Sequence, residues 1–272
     1  MSEDASMTAA AVEALLDRPQ PGGIHCRGAV DSTMTVCRGL AEAGAPEGAV
    51  VLADAQTAGV GRMGRPFASP AGQGVYLSMV LRPRSGRGVQ WLTSLAGLAV
   101  CRALEKLCGP GPRLKWPNDV ILQGREVCGI LVQTSLGAGG VDYGILGAGV
   151  NVGQTSFGGE LADKAVSLKM AGWDVPRPRV AAALIRHLNA LLVDRHVYEE
   201  MPAELIRELK DRSCTLGQEV LLVDRDGETP GLAVDLDPGG GLVVQTARDR
   251  RVITSGEVSV RGLLGYLPGA KP

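Results

Sequence analysis

The chain has 272 residues, a formal net charge of −1 and 45% hydrophobic residues. This composition is typical of a globular protein with one large domain, or with a large and a small one. A net charge near zero argues against binding nucleic acids or membrane surfaces by bulk electrostatic attraction. The acidic start of the chain predicts no secretory signal. The most apolar stretch, residues 92–101, is too short to span a bilayer.

The six cysteines form no C-x-x-C pair and no metal-binding spacing with the three histidines. The simplest interpretation is a set of reduced thiols, most of them packed in the core. Reduced thiols are typical of the cytoplasm. We therefore predict a cytoplasmic protein that does not associate with membranes and whose own residues bind no metal.

Hydrophobic periodicity predicts alternating helices and strands up to residue 213. The predicted helices span residues 8–17, 33–43, 90–107, 178–198 and 202–212, and the predicted strands 49–53, 75–82, 113–116, 120–122, 126–133 and 142–152. From Cys214 onward, short strands alternate with turn signals, which is typical of a small barrel. We predict an α+β fold with one domain at 1–213 and a second at 214–272.

A glycine- and arginine-rich segment, residues 54–66, follows the first predicted strand. We call it the Gly/Arg loop. Its glycines are Gly59, Gly61 and Gly64, and they alternate with Arg62 and Arg65. Glycine lets the backbone approach a ligand closely, and backbone N–H groups with arginine side chains suit a phosphate. The loop predicts a phosphate-bearing ligand.

The same loop also matches the G-x-G-x-x-G pattern of dinucleotide-binding folds. That interpretation requires a helix to begin at the loop. Pro66 and Pro70 make such a helix improbable, and a strand follows instead. A kinase phosphate loop is also disfavoured, because no lysine lies in the next strand and no H-R-D or D-F-G segment follows.

Three other segments carry candidate site residues. Ser32 and Thr33 precede a predicted helix, and helix capping alone would explain them. Lys115 ends a short strand and could be an ordinary solvated lysine, whereas Trp116 is predicted to pack in the core. Glycines lie inside predicted strands at positions 129, 144, 147 and 149. Such glycines often mark the close approach of a ligand, so one face of the sheet is predicted to be cleared of side chains.

Together, these segments resemble the biotin protein ligase family from about residue 30 to residue 261. The matching pieces are Asp31-Ser32-Thr33, the Gly/Arg loop, Lys115-Trp116-Pro117-Asn118-Asp119, Cys128-Gly129-Ile130-Leu131, Gly147-Ala148-Gly149-Val150-Asn151 and Ser255-Gly256-Glu257-Val258-Ser259. The resemblance implies a mixed sheet backed by helices and an SH3-like C-terminal barrel. It also implies a reaction in two steps. The carboxylate of biotin attacks the α-phosphate of ATP, and a lysine of a biotin carboxyl carrier domain then attacks the resulting biotinyl-5′-AMP.

The resemblance also implies roles for individual residues. Arg62 and Lys115 would serve as catalytic residues that hold the phosphate and the reacting carboxylate, since two anions that meet need fixed positive charge. Mg²⁺ would accompany the pyrophosphate. The other implied contacts are Arg65 with the nucleotide, Ser32, Thr33 and Gln56 with the ureido ring, Gly59, Gly61 and Gly64 over the adenylate, Gly129, Gly147 and Gly149 beneath biotin, and Asn151 with adenine or ribose.

The chain departs from the family pattern at several positions. Val60 stands where the family usually has arginine, Met34 where it usually has asparagine, and Phe67 where tryptophan is commoner. Trp173 lies several residues beyond the usual adenine-stacking position, so the adenine platform is unassigned. About thirty residues precede Ser32, too few for the helix-turn-helix domain of some relatives. We predict a ligase without specific DNA binding, as a monomer or homodimer.

Two alternatives remain open at this point. A lipoate-type ligase shares the implied fold, although residues 115–119, which we call the lysine segment, and the Gly/Arg loop favour biotin. A non-catalytic sensor of biotin or biotinyl-AMP could use the same pocket. Arg62 and Lys115 argue against the sensor, and Val60 keeps it open.

Overall fold

The computed structural model of the chain describes residues 7–83, 86, 88–137, 140–194, 198, 200–224, 227–254 and 259–262. The larger of its two sheets has seven strands: β1 (Ile24–Val30), β2 (Val50–Gln56), β3 (Gly74–Leu81), β4 (Arg113–Lys115), β5 (Asp119–Leu122), β6 (Arg125–Gly137) and β7 (Gly140–Asn151). Their order is β1-β2-β3-β7-β6-β5-β4. Strands β1 and β2 are parallel and every other neighbouring pair is antiparallel, so the predicted mixed sheet is confirmed.

Helices cover both faces of this sheet. They are α1 (Ala9–Glu13), α2 (Thr33–Glu42), α3 (Val89–Cys108), α4 (Arg177–Leu188) and α5 (Ala203–Arg212). Helix α3 is apolar on nearly all sides and packs with α4 in the main core. Helix α2 packs in a smaller cluster. No helix in the described part of the chain is long and apolar enough to cross a membrane.

Strand β3 lies in the middle of the sheet, and all eight of its residues are buried. This confirms the prediction of a strand buried on both faces, since its sequence does not alternate between apolar and polar residues. Its side chains enter the main core on one side and the α2 cluster on the other. Ser78 is the one hydroxyl in this strand besides that of Tyr76.

A smaller antiparallel sheet follows. Its strands are β8 (Glu219–Asp224), β9 (Gly227–Leu236), β10 (Leu242–Thr246), β11 (Arg250–Ile253) and β12 (Ser259–Gly262), in the order β11-β10-β9-β8-β12. The short strands predicted after Cys214 are thus confirmed. Most of the predicted Ser255-Gly256-Glu257-Val258-Ser259 segment, residues 255–258, lies outside the described residues.

Trp116 links the two sheets. Its indole Nε1 donates to the carbonyl oxygen of Gly240 at 3.0 Å, and its backbone N–H donates to Thr215 Oγ1 at 2.9 Å. The side chain is buried, which confirms its predicted place in the core. An ion pair between Lys210 and Asp235, at 2.7 Å, joins α5 to β9. These contacts fix the smaller sheet against α5 and the segment that follows β4.

An ion-pair network connects α3 to α5. Glu208 accepts from Arg102 and also from Arg212 Nε at 2.9 Å, and Arg212 binds Glu105 at 2.7 Å. The hydrogen bond from Arg102 is the main reason that the pKa of Glu208 lies below its ordinary value. The carboxylate is partly exposed, so solvent weakens these pairs.

Substituting Glu208→Gln should lower the free energy of unfolding at pH 7 by about 1 kcal/mol, the scale of charge-assisted hydrogen bonds after discounting for exposure. The depressed pKa of Glu208 stabilises the fold above the unfolded-state pKa. That stabilisation is lost as the pH falls through the folded-state pKa. Urea unfolding at several pH values should therefore show the difference between parent and variant shrinking in acid. A difference that stays constant would contradict this role.

Candidate functional site

The site is built around glycines that face one another in β6 and β7. Gly129 pairs with Gly149 across the two strands, and Gly147 lies two residues away on the same face. We call the space above these three glycines the glycine cleft. It lies on the side of the sheet that α2 covers, because a Cβ at Gly147 would lie 2.9 Å from Met34 Sδ. Three of the four strand glycines thus share one face, whereas Gly144 lies on the opposite face, where a Cβ would meet Leu81.

Two of the residues that depart from the family pattern fill this cleft. A Cβ at Gly149 would lie 2.5 Å from the ring of Phe67, and one at Gly129 would lie 3.3 Å from the same ring. Met34 covers Gly147 in the same way. The glycines are therefore required by the packing of these side chains. A ligand that enters the cleft has to displace Phe67 or lie beside it.

The Ser32-Thr33 pair begins α2 and contacts Gln56 at the end of β2. Ser32 is the N-cap of the helix, because its hydroxyl oxygen accepts from the backbone N–H of Met34 at 3.2 Å. The capping interpretation is therefore correct for Ser32, which keeps its own hydroxyl proton to donate. Thr33 donates to Gln56 Oε1 from its backbone N–H at 2.9 Å and from its hydroxyl at 3.1 Å.

The Gly/Arg loop folds back on itself. The N–H of Phe67 donates to the carbonyl oxygen of Gly59, and that of Gly61 donates to Arg65, both at 2.8 Å. Only a three-residue 3-10 turn, Arg62–Gly64, lies between these bonds. The prediction that no dinucleotide-type helix begins here is confirmed. The N–H of Gly61 is used within the loop, so it does not point at a ligand in this arrangement.

Three cationic residues act on one partly buried carboxylate beside the cleft. Lys115 Nζ lies 3.3 Å from Asp119 Oδ2, and Arg62 donates to Asn118 Oδ1 at 3.1 Å. Burial raises the pKa of Asp119, while Lys115, Arg62 and Arg65 each lower it electrostatically. Burial also lowers the pKa of Arg62. The cluster has more positive than negative charge, which suits an anionic ligand.

The two ends of the glycine cleft differ in character. Ser78, in β3, pairs with Gly147 and contacts Thr33, so this end is polar and uncharged. Asp119, in β5, pairs with Gly129 and contacts Lys115, so the other end is charged. A ligand with an uncharged polar head and an anionic tail would match both ends.

Asn151 lies at the end of β7 and is buried. Its Oδ1 accepts from Gln154 Nε2 at 3.2 Å, and its carbonyl oxygen accepts from the N–H of Leu168 at 3.1 Å. Trp173 packs against the main core, which leaves the adenine platform unassigned.

The structure therefore brings Thr33 together with Gln56, and Arg62 together with the lysine segment. Sequence reasoning missed Asn118 as the partner of Arg62, and also Ser69 and Ser78. Ser78 carried a signal, because it is a polar residue inside an otherwise apolar strand. Among the described residues, no group of three or more His, Cys, Asp and Glu side chains is arranged to hold a metal ion.

Family models match two parts of the chain. Residues 26–151 match the biotin/lipoate A/B protein ligase family, and residues 215–261 match the biotin protein ligase C-terminal domain. The first match contains the glycine cleft and the cationic cluster. The second covers most of the smaller sheet.

Similar proteins and structures agree with these models. The chain is 32% identical to the bifunctional ligase/repressor BirA of Bacillus spizizenii, over 85% of this chain and 72% of that protein. It is 33% identical to biotin–[acetyl-CoA-carboxylase] ligase of Mycobacterium tuberculosis, over 78% of this chain and 79% of that protein. It also resembles the structure of biotin protein ligase from Aquifex aeolicus in complex with biotin and ATP. That match has a TM-score of 0.76 and 32% identity, and it covers 88% of this chain and 98% of the other.

The packing in the cleft predicts different outcomes for two glycines of β7. Gly149→Ala should lower the free energy of unfolding by about 1–3 kcal/mol, the usual cost of overpacking, because its Cβ would collide with Phe67. Gly144→Ala is the matched control, since its Cβ would meet Leu81 at an ordinary 3.5 Å. Thermal and urea unfolding measure both variants. Equal stability of the two would show that Phe67 does not pack in the cleft.

Proposed function

This chain belongs to the biotin protein ligase family, and we propose that it activates biotin with ATP and transfers it to a lysine of a biotin carboxyl carrier domain. The polarity of the glycine cleft is the observation that carries this proposal. Biotin has an uncharged ureido ring at one end and a carboxylate at the other. The cleft offers hydroxyl and amide groups beside Gly147, and Lys115 beside Gly129.

In the first step, the carboxylate of biotin attacks the α-phosphate of ATP, and pyrophosphate leaves. Both reactants are anions, so their approach is unfavourable without fixed positive charge. Lys115 and Arg62 supply that charge at the reacting centre. Their own partners, Asp119 and Asn118, hold them in place before the substrates arrive. Arg65 adds charge to the same cluster and helps to order the loop over the nucleotide.

The remaining contacts follow the same division of the cleft. Ser32, Thr33 and Gln56 bind the ureido ring, and Gly129, Gly147 and Gly149 leave room for the apolar ring and chain. Gly59, Gly61 and Gly64 let the loop cover the adenylate, and Asn151 binds adenine or ribose. Val60 is 45% exposed, which fits a contact with the adenylate through its backbone alone.

In the second step, the amine of the acceptor lysine attacks the mixed anhydride and releases AMP. The incoming lysine loses its proton to solvent, because the geometry assigns no general base. Mg²⁺ would be held by the phosphate oxygens of ATP, the hard donors that this ion prefers, and would neutralise charge on the departing pyrophosphate.

The proposal also includes the organisation and setting of the enzyme. A division at residues 213 and 214 separates the substrate-binding part from the smaller sheet, whose first strand begins at Glu219. Consumption of ATP and the free cysteines fit a cytoplasmic location. A ligase without DNA binding, as a monomer or homodimer, stays a prediction.

The direct test incubates the chain with ATP, Mg²⁺, biotin and a biotin carboxyl carrier domain. Intact-mass measurement should show one biotin added to the carrier lysine, and none when ATP is omitted. Binding of biotin without modification of the carrier would favour the sensor. Transfer of lipoate instead of biotin would favour a lipoate-type ligase.

Removing the charge of Lys115 should slow the first step. Lys115→Ala is expected to reduce the single-turnover rate of biotinyl-AMP formation by about 10²–10³-fold, the scale of one preorganised charge in an active site. Lys106→Ala, at an exposed position on α3, is the control and should keep the parental rate. A reduction of less than about threefold in Lys115→Ala would make it a structural lysine, since one catalytic charge contributes far more.

Arg62 should retain the intermediate as well as help to form it. Arg62→Gly is expected to release biotinyl-AMP about tenfold faster or more, because a charged hydrogen bond to phosphate is lost. Arg62→Lys keeps the charge and should retain the intermediate better. Filtration of enzyme loaded with labelled biotinyl-AMP measures release. Release as slow as in the parent would exclude this role.

A further inference from the structure

Two buried serines that no motif includes complete a chain of hydrogen bonds around Gln56. Ser78, 0% exposed in β3, contacts Thr33 Oγ1 through its hydroxyl at 2.9 Å. Ser69, 6% exposed, accepts from Gln56 Nε2 at 2.8 Å and donates to the carbonyl oxygen of Phe67 at 3.1 Å. These hydrogen bonds run from the middle of the large sheet to the base of the Gly/Arg loop.

Two backbone groups, one at each end of this hydrogen-bond network, determine which atom donates in every hydrogen bond. The backbone N–H of Thr33 can only donate, and its 2.9 Å contact fixes the oxygen of the Gln56 amide on that side. The Thr33 hydroxyl contacts the same oxygen and so must donate to it, which makes Ser78 the donor to Thr33. At the other end, the carbonyl oxygen of Phe67 can only accept, so Ser69 donates to it and accepts from Gln56 Nε2.

The surrounding packing keeps the Gln56 amide in this orientation. A Cβ at Gly59 would lie 2.6 Å from the carbonyl oxygen of Phe67, 2.9 Å from Ser69 Oγ and 3.0 Å from Gln56 Nε2. The loop backbone at Gly59 therefore packs directly against the side chains of Ser69 and Gln56. Turning the amide over would place its NH₂ group against the N–H of Thr33, and a donor facing a donor in a buried place is costly.

We propose that Ser69 and Ser78 are positioning residues that hold the Gln56 amide so that it can offer a ligand only an N–H group. Gln56 Oε1 already accepts two hydrogen bonds, and Nε2 has given one of its two hydrogens to Ser69. Gln56 therefore recognises a hydrogen-bond acceptor, the ureido carbonyl oxygen of biotin, and rejects a donor there. This inference rests on the proposed function, because it places the head of biotin at this end of the cleft.

The test compares biotin with 2-iminobiotin, whose protonated imino group presents N–H donors where biotin has its ureido oxygen. Calorimetric titration of the full chain should show Ser69→Ala binding biotin about tenfold more weakly, the scale of one buried hydrogen bond. The preference for biotin over 2-iminobiotin should also fall by about fivefold or more, because only the Thr33 contacts then hold the amide and the orientation that presents its oxygen becomes less unfavourable. A purely structural role of Ser69 would weaken both ligands equally.

Three further variants define the result. Ser69→Thr keeps the hydroxyl and should restore both the affinity and the preference. Thr246→Val removes a buried hydroxyl from β10 in the smaller sheet and should change neither. Ser78→Ala removes the hydroxyl that donates to Thr33 at the other end of the network and should also reduce the preference for biotin over 2-iminobiotin. This variant keeps the inference testable if Ser69→Ala does not fold.

An unchanged preference in both alanine variants would overturn the inference. A full chain that binds neither ligand would instead overturn the proposed function. The two failures are therefore distinguishable in one set of titrations.

Discussion

The absence of Cβ atoms at Gly129, Gly147 and Gly149 is the constraint on which the rest of the site depends. These positions lie on adjacent strands in the middle of a closely packed sheet, where ordinary side chains would fill the space. Without them, Phe67 and Met34 can pack down onto the backbone. The cleft is therefore lined by the backbone of two strands and by the side chains of Phe67 and Met34.

The charged end of the cleft balances two opposing effects. Burial disfavours the ionised form of Asp119, whereas Lys115, Arg62 and Arg65 favour it. The carboxylate in turn keeps cations close together that would otherwise repel one another. In the proposed reaction, an arriving carboxylate and phosphate would meet positive charge that is already in place, and little reorganisation would be needed. The same residues tie the Gly/Arg loop to the lysine segment, so catalytic charge and loop position are coupled.

Local patterns predicted most elements of the fold, because periodicity and glycine placement are properties of neighbouring residues. The buried strand β3, the central helix α3 and the strand glycines are examples. The same patterns missed strand β1 and extended the fourth helix to residue 198, although α4 ends at Leu188. Contacts between distant segments were not predictable in this way. Arg62 and Asn118 are 56 residues apart in the chain, and Ser78 and Thr33 are 45 residues apart. Phe67 was identified as a departure from the family pattern, but its position over Gly149 depends on how the whole loop folds back.

Activation of biotin at this cluster is the central claim, and exchange of labelled pyrophosphate into ATP tests it most directly. Exchange requires the carboxylate to attack the α-phosphate reversibly, with no contribution from an acceptor protein. The account predicts exchange that depends on biotin and that lipoate does not support. Absence of exchange while biotin still binds would contradict it.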